Sequence, residues 1–342
     1  MKKVSKPTKK SEKILSISVA AYNLGDMIRD NLDSFVKAPK NVLDKIEILV
    51  TNDGSTDDTE KIIKEYEKKY PNSVRLINQK NQGAGSTVNS GIKHATGKYF
   101  KMIDGDDWIE TENLEKIVEN LEKTDADIVL TDMLTYNEAE KRITDRSGYD
   151  IKSDQDLHFT DVCNSIDIQM HNTMYKTEIL KQNGIKLDNG FYTDIEYVLL
   201  PLPYIKTIAY FSAPLYVYRI ARAGQSMSKA SMRKNAAQHL LVLKRLIDEY
   251  WNVKDSLNDE TKKYLINAIG RMANTELRVE LLEDVGKEEK QQHIREFFNW
   301  VESYGGKDIY KSFLRGRKAR MLKLTNYKAV PFLERAIEKK FY

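Results

Sequence analysis

The sequence predicts an α/β fold, in which helices cover both faces of a mostly parallel sheet, followed by an α-helical C-terminal region. Strand and helix signals alternate through the first third of the 342 residues. Polar motifs follow the predicted strands, and from about Lys234 glycine and proline become sparse while long helical stripes appear. We therefore expect a basic disordered leader over residues 1–13, an α/β domain over 14–233 with halves at 14–133 and 134–233, and a helical region over 234–342.

The predicted strands are short runs rich in β-branched residues, and in the first third they alternate with stretches that carry apolar residues at helical spacing. Such alternation favours a parallel sheet, whose ligands bind beyond the carboxyl ends of the strands. The strand predictions cover residues 14–20, 46–51, 74–77, 99–103, 127–133 and 215–219, and the helical stripes cover 27–36, 62–70, 84–95, 114–121, 240–247 and 264–272.

Composition excludes several classes of protein. Apolar residues make up 41% and charged residues 31% of the chain, the balance of a globular protein with a sizeable core. The single cysteine, Cys163, excludes a disulfide framework and a multi-thiolate zinc site, and it is typical of a reducing cytoplasm. No apolar run approaches the ~20 residues that span a bilayer, and the N-terminus lacks the features of a signal peptide. We expect a cytoplasmic protein with no nucleic-acid partner, since the net charge is only +4.

Three carboxylates cluster in the motif Asp104-Gly105-Asp106-Asp107, directly after a predicted strand. Their mutual repulsion is costly unless a cation or hydrogen-bond donors compensate it. Carboxylates separated by one small residue can bind a hard divalent cation while a substrate phosphate completes its coordination shell. A solvated acidic turn, or an N-cap for the helix that begins near Thr111, explains the motif equally well.

Other polar motifs follow the first three predicted strands. Asp53 stands at the end of the second strand, where it can accept a hydrogen bond from a nucleobase imide, in a segment whose other residues fit a turn and a helix cap. Tyr22, after the first strand, can stack on a base or close the core. Residues 81–85, followed by Asn89, open a helix whose N-terminus suits phosphate or carboxyl groups. Because the chain has neither GxGxxG nor GxxxxGK(S/T), neither a dinucleotide-binding fold nor a P-loop is predicted.

The motifs VAAYN at 19–23, VTNDGSTDDT at 50–59, NQGAGSTVNSGI at 81–92 and DGDDW at 104–108 resemble, in their order and spacing, those of family 2 glycosyltransferases. The likeness continues in the second half. It includes NGFYTDIEYVLLPL at 189–202, PLYVYR at 214–219 and GQSMS at 224–228. The helical region after about residue 234 is not covered by these motifs.

The resemblance implies a GT-A fold and a metal-dependent, inverting transfer of a sugar from a nucleotide-sugar of the UDP type. The implied acceptor is a hydroxyl of a saccharide, lipid-linked or glycoprotein acceptor, in the synthesis of a bacterial surface polysaccharide or glycoprotein glycan. Asp194 would be the general base, and Asp106 would bind Mg²⁺ or Mn²⁺. The signature Q-x-x-R-W of processive synthases is absent, which implies few additions per encounter. Nucleotide-sugar contacts are implied for Ala21, Tyr22, Asn23, Asp53, Gly83, Asn89, Asp104 and Gly105.

The sequence departs from the family pattern at three positions. Ala20 replaces a usual proline, Asn52 replaces the first acid of the D-D-G motif, and Thr193 replaces the acid before the base. From the residues alone, Asp194 and Glu196 also fit a solvated loop.

Two other functions stay open. A sugar nucleotidyltransferase is disfavoured because AAYNLGD stands where a glycine-rich basic loop is needed, and a non-catalytic nucleotide-sugar or membrane-binding module is disfavoured by the intact acids.

Three further features each allow more than one interpretation. His171 either contacts the acceptor or diphosphate or is a structural hydrogen-bonding group. The basic segment 311–323 predicts an amphipathic helix. This helix either lies on the anionic inner face of the cell membrane or packs its apolar side on the helical region. Pairing of subunits through the C-terminal helices is a further interpretation. The third feature is a set of polar residues that fit pyrophosphate contacts and a solvated loop equally well: Arg219, Arg222, Gln225 and Ser226.

Overall fold

The computed structural model of the chain describes residues 12–190, 192–221 and 229–339, and for residues 229–231 it describes the backbone alone. The strands are β1 (Leu15–Ala21), β2 (Ile46–Asp53), β3 (Val74–Gln79), β4 (Tyr99–Asp104), β5 (Trp108–Ile109), β6 (Ile128–Asn137), β7 (Arg142–Ser147), β8 (Asp156–His158), β9 (Thr173–Lys176) and β10 (Thr207–Ile220). The helices are α1 (Met27–Val36), α2 (Lys40–Leu43), α3 (Thr59–Lys69), α4 (Ala84–His94), α5 (Thr111–Lys123), α6 (Phe159–Val162), α7 (Thr177–Gln182), α8 (Thr193–Leu199), α9 (Lys229–Lys234), α10 (Ala236–Val253), α11 (Asp259–Leu281), α12 (Lys287–Phe313), α13 (Arg317–Leu324) and α14 (Val330–Glu338).

The strands form one sheet in the order β3-β2-β1-β4-β9-β6-β10-β5. Strands β3, β2, β1 and β4 pair in parallel, and β6 pairs in parallel with β10. Because β9 lies antiparallel between β4 and β6, the strands β6 and β10 run in the same direction as β1. The shorter strands β5, β7 and β8 pair antiparallel. The predicted α/β fold with a mostly parallel sheet is therefore confirmed.

The register of the strands brings the polar strand ends to one edge of the sheet. Ala20 of β1 lies beside Asp104 of β4, and Ala21 lies beside Asn52 of β2. The central strand β1 is flanked by β2 on one side and by β4 on the other, so the chain order reverses there. In open α/β sheets a crevice for ligands forms at such a reversal, beyond the carboxyl ends of the strands.

Burial explains why these segments form these elements. Every residue of β1 and β2 is fully or largely buried, which accounts for their continuous apolar and small residues. Helix α5 buries Leu114, Ile117, Val118 and Leu121, the residues that repeat at helical spacing, against the sheet core. The predicted strand at 215–219 is the end of the longer strand β10, which a register shift near Pro214 interrupts.

Long helices dominate the C-terminal region, as predicted. Helix α12 bends at Gly306, whose φ of 76° and ψ of 172° lie outside the helical region. The buried side chains of α10, α11 and α12 belong to the same continuous hydrophobic core as the sheet. For example, the ring of Phe159 lies 6.2 Å from the ring of Tyr264 on α11. The helices therefore pack directly on the second half of the α/β fold.

The basic segment 311–323 does not form one helix. Helix α12 ends at Phe313 and α13 begins at Arg317. Between them, Gly316 lies so close to α11 that an added Cβ would be 1.8 Å from Oδ1 of Asn274. Phe313 and Leu322 are buried, as the packed interpretation expects, whereas Met321 is 38% exposed. None of the helices in the described part of the chain is long and apolar enough to cross a bilayer.

The end of the predicted leader is anchored to the fold. Residues 1–11 lie outside the described residues, but the ammonium group of Lys13 donates hydrogen bonds to main-chain oxygens of Asp44, Ile46 and Asn72, at 3.1, 2.6 and 2.9 Å. Lys13, the last residue of the predicted leader, therefore contacts the α/β domain.

Candidate active site

Three carboxylates meet at the carboxyl end of the sheet. Asp104 ends β4, Asp106 follows in the next turn, and Asp194 lies in the first turn of α8. Burial and, to a smaller extent, the negative charges of Asp106 and Asp194 together raise the pKa of Asp104 to about 7. Asp104 thus lies within electrostatic reach of both the predicted metal ligand and the predicted base, which are 88 residues apart in the sequence.

The fourth acid of this region, Asp107, is held inside the protein. The hydroxyl of Tyr216 donates to one carboxylate oxygen at 2.6 Å, and the main-chain N–H of Arg219 donates to the other at 2.8 Å. Burial, followed by the charges of Asp104 and Asp106, nevertheless raises the pKa of Asp107 well above its usual range. Asp107 therefore ties the acidic turn to strand β10.

The donor set at Asp104 and Asp106 fits a hard divalent cation. Both offer carboxylate oxygens, the ligands that Mg²⁺ and Mn²⁺ prefer. An added Cβ at Gly105 would lie 2.5 Å from the main-chain oxygen of Ala20 and 2.4 Å from the side chain of Leu24, so only glycine allows this tight turn. A bound cation would also offset the repulsion that raises the pKa of Asp104.

Asp53 is buried and bound to the loop before α4. Its two carboxylate oxygens accept hydrogen bonds from the main-chain N–H groups of Gln82 and Gly83, each at 2.9 Å, and from the side-chain amide of Gln79 at 2.7 Å. Asp53 thus fixes the loop that opens α4. Its predicted contact with the base of the nucleotide remains a prediction.

The loop after β1 is linked to the loop after β2. The side-chain oxygen of Asn23, a residue with φ of 50°, accepts a hydrogen bond from the main-chain N–H of Thr56 at 2.8 Å, and its own N–H donates to the hydroxyl of Ser55. Tyr22 is 51% exposed beside this link. An exposed aromatic ring at the carboxyl edge of the sheet is available for stacking on a base.

Residues 187–190 pack tightly against the N-terminus of α4. The side-chain amide of Asn89 donates to the main-chain oxygen of Leu187 and accepts from its N–H, both at 2.8 Å. An added Cβ at Gly83 or Gly85 would lie 1.8 or 1.6 Å from a main-chain oxygen of this segment, in Asn189 or Asp188 respectively. The geometry gives Gly83 and Asn89 a role in holding this segment, and their predicted nucleotide-sugar contacts remain predictions.

Asp194 lies on a helix that begins with strained backbone. The preceding Tyr192 has φ of 67°, in the left-handed region that residues with a bulky side chain rarely adopt. Its ring packs edge-on against the imidazole of His239 of α10, at 4.7 Å between centroids. Desolvation by the surrounding protein atoms raises the pKa of Asp194, although its side chain is exposed, and the main-chain amides of the first turn and the charge of His239 oppose this effect. A carboxylate with a raised pKa is a better proton acceptor.

Helix α10 holds the segments on both sides of Asp194. The guanidinium of Arg245 donates to the carboxylates of Asp188, at 2.8 Å, and Glu196, at 2.6 Å. The other oxygen of Glu196 accepts from the main-chain N–H of Asp188 at 2.7 Å, and Glu196 is fully buried. Sequence analysis missed Arg245 and His239, because neither has a motif and both lie among the apolar residues of a helical stripe.

The remaining sequence candidates have varied surroundings. Arg219 donates to carboxylates of Asp30 and Glu138, and its guanidinium lies 4.7 Å from the ring centre of Trp108. These contacts favour a structural role over free movement in a solvated loop. His171 lies in the wall of a cavity shared with Asp194. Arg222, Gln225 and Ser226 lie outside the described residues.

Comparison with known proteins identifies a family for much of the chain. Residues 16–184 match the model of Glycosyl transferase family 2. GlyA, a glycosyltransferase of Streptococcus pneumoniae, is 28% identical over 227 residues, which cover 62% of this chain and 31% of GlyA. Poly(ribitol-phosphate) beta-glucosyltransferase of Bacillus spizizenii is 30% identical over 222 residues, which cover 63% of this chain and 34% of that protein. The chain thus aligns with about a third of the length of these relatives.

Solved structures share the fold. TarS residues 1–349 of S. aureus, in complex with UDP, superimposes with a TM-score of 0.61 at 19% identity, covering 96% of this chain and 92% of that one. Mannosyltransferase PcManGT of Pyrobaculum calidifontis, in complex with GDP-Man and Mn²⁺, superimposes with a TM-score of 0.51 at 15% identity, covering 98% and 90%. The likeness extends over the C-terminal helices, and it confirms the GT-A fold expected from the motifs.

Proposed function

The chain belongs to glycosyl transferase family 2 through residues 16–184, and from this premise we propose that it transfers a sugar from a nucleotide-sugar to a hydroxyl group of a saccharide acceptor. The observation that carries the proposal is the convergence of Asp104, Asp106 and Asp194 at the carboxyl edge of the sheet. A metal-binding acidic pair beside a carboxylate base is what an inverting transfer requires.

The proposed donor is a UDP-sugar, bound by residues 14–133. The neighbouring TarS structures contain UDP or UDP-GlcNAc, which supports this choice of nucleotide. The exposed ring of Tyr22 would stack on the base, beside the loop that Asp53 holds in place. Residues 134–233 would form most of the acceptor side. Relatives named for poly(ribitol-phosphate) and minor teichoic acid synthesis support an acceptor in a bacterial surface polymer.

A divalent cation fits Asp106, with Asp104 as a second ligand or a contact to the ribose, and when bound it supplies positive charge against the leaving diphosphate. PcManGT was solved with Mn²⁺, which supports a metal of this class. Both Mg²⁺ and Mn²⁺ suit the carboxylate ligands.

The proposed chemistry assigns one proton transfer to Asp194. Its carboxylate accepts the proton of the acceptor hydroxyl as the oxygen forms a bond to the anomeric carbon. The bond from that carbon to the phosphate oxygen breaks at the same time, and its electron pair leaves with the nucleoside diphosphate. Attack from the face opposite the leaving group inverts the configuration of the anomeric carbon.

Replacing Asp194 with asparagine tests this function. We expect the affinity for UDP with Mn²⁺, measured by calorimetry, to be unchanged, while transfer from a panel of UDP-sugars falls by about 10²–10⁴-fold, the range for loss of a general base. Asp161→Asn, at an exposed carboxylate of α6, is the matched control and should keep full activity. Near wild-type transfer by the Asp194 variant would refute the assignment of the base.

A further inference from the structure

A cavity of about 290 Å³ opens beside Asp194, on the side formed by the helical region. Its walls come from residues 167–171, from α8 and from α11. The cavity therefore joins the candidate base to side chains 70 or more residues away in the sequence, in a part of the chain that the family motifs do not reach.

The walls combine an apolar floor with polar groups. Met170, Val198 and Met272 are at least 95% buried and present apolar surface. Gln169 and Thr275 add an amide and a hydroxyl at the cavity walls. Such a mixture suits a ligand with an apolar face and several hydroxyl groups.

His171 also lies in the walls of this cavity. Its Nδ1 is buried and has no hydrogen-bond partner among the described residues, a condition that costs free energy unless a ligand or water supplies one. Burial lowers the pKa of His171 to about 4, and the charge of Lys101 acts in the same direction, so the ring is neutral at pH 7. A neutral imidazole pairs with a hydroxyl without adding charge.

The charge of the cavity disfavours an anionic ligand. Asp167 and Asp194 are acidic, whereas the guanidinium of Arg271 is the basic group of the lining and donates to Asp167 at 2.8 Å. With His171 neutral, the walls carry one more carboxylate than guanidinium when Asp194 is ionised. A phosphate or carboxylate beside the reacting hydroxyl would be repelled.

We propose that this cavity is the subsite for the reacting sugar unit of the acceptor, that this unit is a neutral hexose, and that α11 helps to select it. The inference rests on the proposed function, because Asp194 must be the base for the cavity to hold the attacking hydroxyl. The cavity volume lies close to the lower end of the ~300–1,000 Å³ range of ligand pockets, which fits one sugar ring. On this proposal, residues of the helical region contact the acceptor sugar in addition to packing on the sheet.

Filling the cavity tests the proposal. Thr275→Trp places a large ring in the wall at a partly exposed position, whereas Lys263→Trp places the same ring on an exposed face of the same helix outside the cavity. The probes are methyl β-glucoside, methyl α-mannoside and the methyl glycoside of N-acetylglucosamine, with methyl glucuronide as the anionic comparison. Binding is measured by saturation-transfer NMR in the presence of UDP and Mn²⁺, and UDP affinity is measured by calorimetry in parallel.

We expect at least one neutral glycoside to bind the wild type and the Lys263 variant, and its signal to fall at least tenfold in the Thr275 variant with UDP affinity unchanged. Equal glycoside binding by both variants, binding of the glucuronide alone, or no glycoside binding by the wild type would overturn the proposal. Failure of the proposed function is a separate result, because UDP and Mn²⁺ would then not bind the wild-type protein.

Discussion

Arg245→Met removes the guanidinium that faces the buried carboxylate of Glu196. Methionine keeps much of the side-chain volume and helix propensity, so the change isolates the charge. Glu196 then retains the hydrogen bond from the N–H of Asp188, but its charge loses the partner 2.6 Å away. Because burial already raises the pKa of Glu196, we expect the variant to take up a proton at this group on folding.

The size of the effect follows from burial. Removing one partner of a buried ion pair costs roughly 3–5 kcal/mol in unfolding free energy. The side chain of Arg245 is 25% exposed while that of Glu196 is not exposed, so water can reach one side of the pair. We therefore expect the lower end of the range, about 3 kcal/mol at pH 7.5.

Urea unfolding of four proteins measures the interaction: wild type, Arg245→Met, Glu196→Gln and the double variant. The double variant should regain most of the loss, because replacing both partners by uncharged groups is often close to neutral. Arg271→Met is the matched control, since Arg271 and Asp167 are also 2.8 Å apart but their side chains are 55% and 67% exposed. Its loss should stay below about 1 kcal/mol.

Activity of the same variants tests whether the contact also positions Asp194. Since Glu196 and Asp194 share the first turn of α8, Arg245→Met should lower kcat while the affinity for UDP is kept. A loss of stability no larger than that of the Arg271 control, or a double variant no more stable than Arg245→Met, would refute the buried-pair reasoning.

Three other changes test separate parts of the structure. Asp106→Asn should abolish the dependence of UDP affinity on Mn²⁺, measured by calorimetry, and unchanged metal dependence would exclude Asp106 as a ligand. Gly85→Ala should lower the melting temperature and the transfer rate together, because its Cβ would meet the main-chain oxygen of Asp188 at 1.6 Å; an unchanged melting temperature would contradict the close approach. Burial, together with two neighbouring glutamates, raises the pKa of Glu280 to about 7 in the folded protein. The folded protein therefore binds this proton more tightly than the unfolded chain does, and it loses stability as the pH rises from about 4.5 to 7. Glu280→Gln should therefore raise the melting temperature at pH 8 more than at pH 5, and an equal change at both pH values would argue against this titration.

Local sequence patterns were sufficient for β1 to β4, for α1, α3 and α4, and for the position of the polar motifs, but not for the short elements α2 and β5. Apolar periodicity depends only on neighbouring residues, and the ends of parallel strands lie at one edge whatever the rest of the chain does. For this reason the proximity of Tyr22, Asp53 and Asp104 could be predicted. The meeting of Asp104 with Asp194 needed the family resemblance, because no local pattern relates residues 90 positions apart.

Long-range contacts account for what the sequence did not predict. The pair of Arg245 and Glu196 spans 49 positions, and pairing of charges has no period. The close approach of Gly316 to Asn274 likewise joins residues that are distant in the sequence. Asn89 pairs both ends of its side-chain amide with Leu187, 98 positions away, a contact that no local pattern predicts.

The contacts of α10 with residues 186–196 limit how segments of this protein can be exchanged with those of its relatives. A chimaera that joins residues 12–220 to the helices of another family member inherits a buried glutamate at 196 without its guanidinium, unless the donor helix carries one at the equivalent turn. The same holds for a fragment truncated before α10. Successful exchange of acceptor specificity between such proteins should therefore require the two segments to be transplanted together, with Arg245, Asp188 and Glu196 as one unit.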